Sequence, residues 1–175
     1  MNEHATLETD RLRLRPITEQ DSGAIWVIHS DPRTNAHNPA GPMTQRPDAD
    51  ARAREWAAAW ADDGQGYWAV EDRQTPGTVI GFGGIRLVEW RGRPVYNLYY
   101  RFAPAAWGRG LASELVAAAV ARWHALGERH PLVAYTTADN LASQRTAARG
   151  GLTRRPDLDE VTGAYTDVVF ALGLD

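Results

Sequence analysis

Two glycines interrupt the stretch Trp107-Gly108-Arg109-Gly110-Leu111-Ala112, which lies between a strand pattern and a helix pattern. An aromatic run at positions 97–102 precedes it, and after it apolar residues recur at three- and four-residue steps as far as Leu126. Glycine lets a ligand approach the backbone, and the first turn of a helix leaves N–H groups without partners. Those donors and the helix dipole favour an anion. The sequence therefore predicts strand, glycine loop and helix, with either an anion site or only a tight turn at the loop.

Two well-known phosphate loops do not fit this stretch. A dinucleotide fingerprint needs a third glycine where this chain has Ser113, and an acid about 20 residues further on, where Glu128 lies in a predicted loop. A triphosphate-binding loop ends in Gly-Lys-Ser/Thr, which is absent here. A phosphate bound at this loop is therefore not expected to belong to NAD or ATP.

Length and composition predict one globular domain over residues 1–175, since 43% of the chain is hydrophobic. Its 22 acidic and 19 basic residues give a net charge of −3, which implies no nucleic-acid partner. The absence of cysteine excludes disulfides, thiolate metal ligands and a cysteine nucleophile. The polar start Met1-Asn2-Glu3-His4 is unlike a signal peptide and no apolar run reaches membrane length, so a cytoplasmic protein without membrane contact is expected.

Strict alternation at Arg11-Leu12-Arg13-Leu14-Arg15 predicts an amphipathic strand. Its arginines favour the solvated face of an edge strand, and the alternative is a basic patch that binds a polyanion. Residues 18–21 are typical of an N-cap, and the helix after them is expected to end near Asp31. A second helix is predicted over 48–62, with its tryptophans in the core.

The rest of the chain predicts more sheet than helix. Glycines within the strand at 79–90 indicate a bulge or a close backbone approach. The strand at 132–137 follows a helix and is expected to lie parallel to the strand at 97–102. The predicted elements are strands at 67–71, 79–90, 95–102 and 132–137, helices at 111–126 and 140–150, and a last hairpin of 152–161 and 165–173 around Gly163.

The string from Asn97 to Glu114, taken with residues 140–143 and 151–152, resembles the GNAT superfamily of acyl-CoA-dependent N-acyltransferases, and more narrowly its RimJ/RimL-like branch. The resemblance implies a mixed α/β GNAT acyltransferase fold, with a mostly antiparallel sheet and a splayed central parallel strand pair flanked by helices. It also implies that the first two helices and their connection wall the acceptor pocket. Homodimers are frequent in that family, and an exposed late strand could pair across a two-fold axis.

The resemblance implies acetyl-CoA as co-substrate and no metal. Family members hold the CoA pyrophosphate with backbone amides of a Gln/Arg-x-x-Gly-x-Gly/Ala loop, and here Trp107, Gly110 and Ala112 stand at the three specified places. The pantetheine arm lies between the splayed strands, and amides at the end of the first of them polarise the thioester carbonyl. The residues predicted to contact the cofactor are Phe102, Ala103, Trp107, Gly108, Arg109, Gly110, Leu111, Ala112, Asn140 and Ser143.

The proton for the leaving thiolate has two candidate sources in the family. Many members carry a tyrosine seven residues after the asparagine, where this chain has Ala147, whereas the RimJ/RimL-like branch has a serine at the place of Ser143. Ser143 is therefore predicted to serve the thiolate, with backbone capping as the alternative. Asn140 either binds the pantetheine amide or forms an Asx turn. Arg145 and Arg149 either meet the CoA ribose phosphate or line a solvated helix face.

The general base is harder to assign. Related members use a glutamate at the place of Asn97, and an amide side chain cannot take a proton. Glu89 and Asp31 are candidate substitutes, whereas His29 and His37 are more typical of structural histidines. At pH 7, freeing a lysine amine of pKa about 10.4 costs roughly 4.6 kcal/mol, and freeing an α-amine near 8 costs about 1.4. A site without a strong base is therefore better suited to an α-amine or another weakly basic nitrogen.

The sequence predicts an acetyl-CoA-dependent N-acetyltransferase that works by direct attack of a primary amine. The acceptor is either a protein N-terminal α-amine or a small-molecule amine such as an antibiotic, and a narrow pocket rich in Trp26, Trp68 and Trp90 would favour the small molecule. The alternative is a non-catalytic acyl-CoA-binding regulatory module, a reading kept open by Asn97 and Ala147.

Overall fold

The computed structural model describes residues 6–174, and the polar start of the chain lies outside them. Within this part the α-helices are α1 (Ser22–Ser30), α2 (Arg46–Asp63), α3 (Leu111–Ala125) and α4 (Leu141–Arg149). The strands are β1 (Leu7–Glu8), β2 (Leu12–Pro16), β3 (Tyr67–Asp72), β4 (Val79–Trp90), β5 (Arg93–Phe102), β6 (Leu132–Thr137), β7 (Thr153–Arg154), β8 (Glu160–Thr162) and β9 (Tyr165–Leu172). The helices and strands predicted from 11 to 150 are confirmed, while β1 is an addition.

The strands form one sheet in the order β1-β2-β3-β4-β5-β6-β9-β7, with β8 also paired to β9. The pairing is antiparallel throughout except between β5 and β6, which are parallel. These two strands pair only where Tyr96–Asn97 meets Leu132–Val133, and both continue beyond that contact. The predicted splayed pair is therefore confirmed. We call the gap between residues 98–102 and 134–137 the V opening.

Alternation along β5 sends its side chains to two different layers. The even-numbered Leu98 and Phe102 pack in a core with α3, including Leu115. The odd-numbered Tyr99 packs on the other side of the sheet, in a cluster with Ile25 of α1 and Trp56 of α2. We call these two sides of the sheet the α3 face and the α1 face. The predicted core position of the α2 tryptophans is confirmed for Trp56, which is only 5% exposed.

The glycines of β4 allow both features that the sequence suggested. A Cβ on Gly83 would lie 2.6 Å from Leu115 of α3 and 2.6 Å from the Tyr99 carbonyl, so only glycine lets α3 pack this closely. The register between β3 and β4 also shifts between Val70 and Glu71. The close approach and the bulge are both present, and the close approach lets α3 pack against the centre of the sheet.

The expectation that β2 is an edge strand is wrong, whereas the expected solvent exposure is found for Arg13 and for Arg11 just before the strand. β2 pairs with β1 on one side and β3 on the other. Arg13 and Arg15 both bind Glu71, and Arg15 also binds Asp21, with both carboxylates nearly buried. The arginines therefore neutralise buried acids, which alternation in one strand cannot reveal. The ion pair with Arg15 and the Thr18 amide together overcome burial and lower the pKa of Asp21.

The last hairpin is shorter than predicted on its first side. Instead of a continuous strand over 152–161, the chain forms β7, a 3-10 turn at Pro156–Leu158 and then β8. Proline has no N–H to give to a ladder, and the Arg154–Asp159 ion pair closes the turn. β9 then pairs with β7 and β8 along one edge and with β6 along the other.

Candidate active site

The glycine loop between β5 and α3 has a left-handed backbone at both of its glycines. The φ angles are 71° at Gly108 and 75° at Gly110, which directly precedes α3. Other residues adopt this conformation only with strain. A Cβ on Gly108 would meet no atom within 4 Å, so the outer side of the turn is open. The unsatisfied amides of the first turn of α3, beginning at Leu111, lie directly beside it.

Arg11, immediately before β2, holds this loop through its guanidinium. Its Nη1 donates to the Arg109 carbonyl oxygen at 2.6 Å, and its Nε donates to Glu114 of α3 at 2.7 Å. Glu114 also accepts the Thr9 hydroxyl and the Arg11 backbone N–H. These contacts use a carbonyl and a carboxylate and none of the loop amides, so the turn is held while its N–H groups stay available. The sequence did not predict this role for Arg11 and Glu114, because their contact joins residues far apart in the chain.

The other loop side chains mostly tie the loop to the protein. Arg109 donates to the nearly buried Asp72 at 2.7 Å, and Trp107, although 49% exposed, donates its indole N–H to the Phe102 carbonyl at 3.0 Å. Leu111 is 1% exposed and belongs to the core beneath the helix, with the half-buried Ala112 beside it. A ligand at this loop would therefore contact the main chain of these residues more than their side chains.

The end of β5 presents one of its two predicted polarising amides to the V opening. The Ala103 N–H donates to the Ile80 carbonyl at 2.9 Å, so it is engaged with β4 and is not free to polarise a thioester carbonyl. Alternation along an antiparallel ladder turns the neighbouring Phe102 N–H to the opposite edge. That edge faces the V opening, because β6 has already parted from β5 there.

The start of α4 closes the α3-face side of the V opening. Asn140 accepts the Ser143 N–H at 3.2 Å and donates to Thr136 at 2.9 Å, so its side chain caps the helix. One N–H and one lone pair of its amide remain for a pantetheine group. Ser143 Oγ lies 2.7 Å from the hydroxyl of Tyr100 on β5. Burial raises the pKa of the Tyr100 phenol, which therefore stays protonated. Tyr100 could not be predicted as a site residue from the sequence, since strand alternation alone does not show its contact with α4.

Asn97 lies on the α1 face, where it donates to the Tyr67 hydroxyl at 2.6 Å. Burial raises the pKa of Tyr67 to about 12, so this phenol is no base at neutral pH.

The two acids considered as substitute bases lie in different places. Glu89 pairs with Pro94 near the β4–β5 turn, and alternation puts its exposed side chain on the face opposite Asn97. Asp31 caps the following 3-10 turn and binds Arg33, a contact that lowers the pKa of Asp31. The position of Glu89 therefore does not support it as a substitute base. Asp31 does line a cavity with Ala103 at the end of β5, but its lowered pKa makes it a weak base.

His29 is 1% exposed and has both ring nitrogens in hydrogen bonds. Its Nδ1 lies 2.9 Å from the Ile25 carbonyl, so Nδ1 carries the hydrogen, and Nε2 accepts the hydroxyl of Tyr99 at 2.7 Å. Burial, with the nearby Arg101 and Arg52, lowers the pKa of His29 to about 3. His29 is therefore neutral at physiological pH, as expected of a structural histidine.

The connection between α1 and α2 crosses to the far strand of the V opening. His37 Nδ1 lies 3.1 Å from Asp139, just beyond β6, and the Thr137 hydroxyl reaches the His37 carbonyl at 3.4 Å. Beside this connection is a cavity of about 380 Å³, bounded by α1, α2 and Arg101 of β5. We call it the α1–α2 cavity. Trp26, Trp68 and Trp90 are not among its lining residues, so the tryptophan-rich pocket considered from the sequence is not formed there.

Comparison with known proteins identifies this arrangement. The family described as "Acetyltransferase (GNAT) domain" matches residues 11–153. The chain belongs to the GNAT acetyltransferase family. It is therefore an acyltransferase of the GNAT fold, with the parallel pair β5–β6 at the centre of a mostly antiparallel sheet.

One relative by sequence and two solved structures are similar to most of this chain. A Bacillus subtilis relative named "Uncharacterized N-acetyltransferase YoaA" is 32% identical over 147 residues, or 83% of this chain and 81% of the relative. An acetyltransferase structure from Agrobacterium tumefaciens has a TM-score of 0.79 at 27% identity and covers 97% of this chain and 94% of its own. The RimL ribosomal L7/L12 α-N-protein acetyltransferase, solved in complex with coenzyme A, has a TM-score of 0.75 at 16% identity and covers 95% and 97%. None of these findings supports the non-catalytic alternative.

The remaining sequence candidates lie outside the centre of the site. Arg145 and Arg149 are exposed on α4 without an ion pair to any residue between 6 and 174, an arrangement typical of a solvated helix face. Over the same residues there is no cluster of His, Cys, Asp and Glu able to hold a metal ion. No helix in the described part of the chain is long and apolar enough to cross a membrane.

Proposed function

We propose that this GNAT enzyme transfers the acetyl group of acetyl-CoA to a primary amine by direct attack, without a covalent enzyme intermediate. The observation that carries the proposal is the alignment of the glycine turn with the V opening at the end of β5. The turn offers amides for a diphosphate, and the parted strands offer backbone groups to an extended arm. The absence of cysteine agrees with direct transfer.

The cofactor would lie across the end of β5 in this proposal. Its diphosphate would accept hydrogen bonds from the amides of residues 108–112, and its pantetheine arm would follow the V opening. The Phe102 N–H would then donate to the thioester carbonyl, whose oxygen gains negative charge as the amine attacks. The solved RimL complex holds coenzyme A, which supports this choice of cofactor.

The leaving thiolate would take its proton from the hydroxyl pair at α4. When the C–S bond breaks, Ser143 would donate its O–H proton to the sulfur and take the proton of Tyr100 in its place. Water would then reprotonate the Tyr100 phenolate and accept the proton that the amine nitrogen loses as the amide forms. Tyr100 of β5 would thereby take over the role of the tyrosine that many family members carry at the position of Ala147 in α4.

The acceptor amine would arrive unprotonated, since Asn97, Tyr67 and His29 offer no strong base at neutral pH. This favours weakly basic amines, either protein α-amines or small molecules. A RimJ/RimL-like assignment rests on the sequence motif between 97 and 114, because the RimL structure at 16% identity shows the fold alone.

Thiol release from acetyl-CoA with an amine panel tests the proposal. We expect the rate to rise with pH along the titration of each acceptor, so that the inflection moves with the acceptor pKa. A single inflection at the same pH for every acceptor would reveal an enzyme base. Tight acetyl-CoA binding without thiol release from any amine would contradict the proposed transfer.

A further inference from the structure

The α1–α2 cavity has an unusual set of charges on its walls. Arg52, Arg101, Asp48 and Glu55 line it together with the neutral His29. Glu55 is already engaged, because it accepts from Arg86 at 2.5 Å. Asp48 is exposed at the start of α2 and lies within ion-pair distance of neither cavity arginine. The positive charges in this cavity therefore lack matching carboxylates.

Arg101 is the deeper of the two arginines. Arg101 is a half-buried residue, and the one hydrogen-bond acceptor of its guanidinium among residues 6–174 is the neutral Asn35 amide oxygen, 2.6 Å from Nη1. An arginine has five N–H donors, so most of them stay free. A partly desolvated cation favours an anionic partner, and a guanidinium binds a carboxylate or phosphate with two parallel hydrogen bonds.

Asn35 holds this guanidinium in place. It is 5% exposed, and its Nδ2 donates to the carbonyls of His29 and Asp31, each at 2.9 Å. Its amide orientation is thereby fixed, with the oxygen turned toward Arg101. Arg52 of α2 lies over the Trp56 ring, 5.7 Å from the centroid, on the same cavity. The cavity thus contains two cations, of which the deeper is held by a buried amide.

We propose that the α1–α2 cavity binds a small acceptor that carries a carboxylate or phosphate in addition to its amine, with Arg101 as the main ligand of the anion and Arg52 as the second. This inference rests on the proposed function, since it names the acceptor of the same site. Arg101 directly precedes Phe102, so the anion would lie close to the reacting carbonyl and the acceptor is compact. A cavity of about 380 Å³ agrees with a small molecule.

Matched amine pairs test this proposal. The probes are β-alanine against β-alaninamide, phosphoethanolamine against ethanolamine, and short peptides with Asp or Asn at the second position, each followed by thiol release and by calorimetric binding. For the small pairs we expect kcat/KM to be about tenfold or more higher for the anionic member, mainly through a lower KM. The first two pairs distinguish a carboxylate from a phosphate.

Variants connect this preference to the cavity. Arg101→Gln should reduce the anionic preference to about twofold or less while the Kd for acetyl-CoA is unchanged, and Arg52→Gln should reduce it partially. Arg54→Gln removes an exposed positive charge of α2 that does not line the cavity, so it should keep the full preference.

The possible failures are distinguishable. Equal use of both members by the wild type, or a preference that survives in Arg101→Gln, would overturn this inference and leave the proposed acetyl transfer intact. A preference found only among the peptides would replace the small-molecule acceptor by a protein. Anion-selective binding that depends on Arg101, without thiol release from any amine, would support the inference and contradict the proposed transfer. If neither binding nor turnover distinguishes the pairs, the inference is wrong.

Discussion

Tyr100 and Ser143 bring two hydroxyl groups within 2.7 Å of each other at the side of the V opening. Each comes from a different element, β5 and α4, so their contact depends on the tertiary fold. Burial keeps the phenol protonated by raising its pKa. This pair is the only candidate proton source for the thiolate that our proposal uses, and it can be removed without changing the charge of the protein.

Removing either hydroxyl should slow the chemical step. We expect Ser143→Ala and Tyr100→Phe each to lower kcat by roughly 100-fold or more, the usual contribution of a positioned acid, with little change in the Kd for acetyl-CoA. Tyr96→Phe is the matched control, because Tyr96 is buried on the same face of β5 and donates to no group in the described hydrogen-bond network. The measurements are kcat and the Kd for acetyl-CoA in each variant and in the control. Unchanged kcat in Ser143→Ala would rule out its assigned role.

His29 predicts a pH dependence of folding stability. Its folded pKa of about 3 is below the ordinary 6.5, so between these values the unfolded state binds a proton more readily. The free energy of unfolding should therefore fall as the pH is lowered from 6.5, by at most about 1.4 kcal/mol per pH unit. Urea titrations between pH 6.5 and 4.5 should show this slope in the wild type and a shallower one in His29→Gln. Parallel slopes would mean that His29 is protonated in the fold.

At the scale of elements, the glycine loop joins β5 to α3 through a backbone that only glycine adopts easily. Gly108 has a φ of 71° with open space beside it, and Gly163 at the last hairpin has a φ of 63° and the same open surroundings. The two positions therefore impose the same local strain on an added side chain, one next to the candidate cofactor site and one in the β8–β9 turn.

Alanine variants of these two glycines separate the effect of backbone strain on stability from the effect on cofactor binding. Gly108→Ala and Gly163→Ala should each lower the free energy of unfolding by about 1–2 kcal/mol, the cost of left-handed backbone with a Cβ. Only Gly108→Ala should also weaken acetyl-CoA binding, by roughly tenfold, since one lost hydrogen bond to a charged group is worth about that much. Chemical denaturation and calorimetry give the two quantities. Equal cofactor affinity in both variants would show that the loop geometry is not used for binding.

Local sequence patterns predicted the type and approximate position of most helices and strands. They did not predict where some of these elements end or which distant residues they contact. Periodicity predicted α3 and β5 because each has a strongly patterned apolar face. The partners of the β2 arginines could not be predicted, since the acids they bind, Glu71 and Asp21, come from other parts of the chain. The first side of the last hairpin was overextended, because alternation continued through a proline that ends the ladder.

At the scale of the whole molecule, the order of strand, glycine loop, helix and strand was enough to predict the central parallel pair. The position where β5 and β6 separate could not be predicted, because it depends on packing from both faces of the sheet. The same is true of the site. Motif spacing predicted the glycine loop and Ser143 as candidates, whereas Tyr100, Arg101 and the support from Arg11 required the assembled fold.

The central claim is that main-chain amides of the glycine turn bind the CoA diphosphate beside the V opening. An amide ¹H–¹⁵N NMR titration with coenzyme A tests it most directly. The account predicts that the signals of residues 108–112 move most and saturate together, with Phe102 joining them when acetyl-CoA is used. Unchanged signals at 108–112 in the presence of millimolar coenzyme A would contradict it.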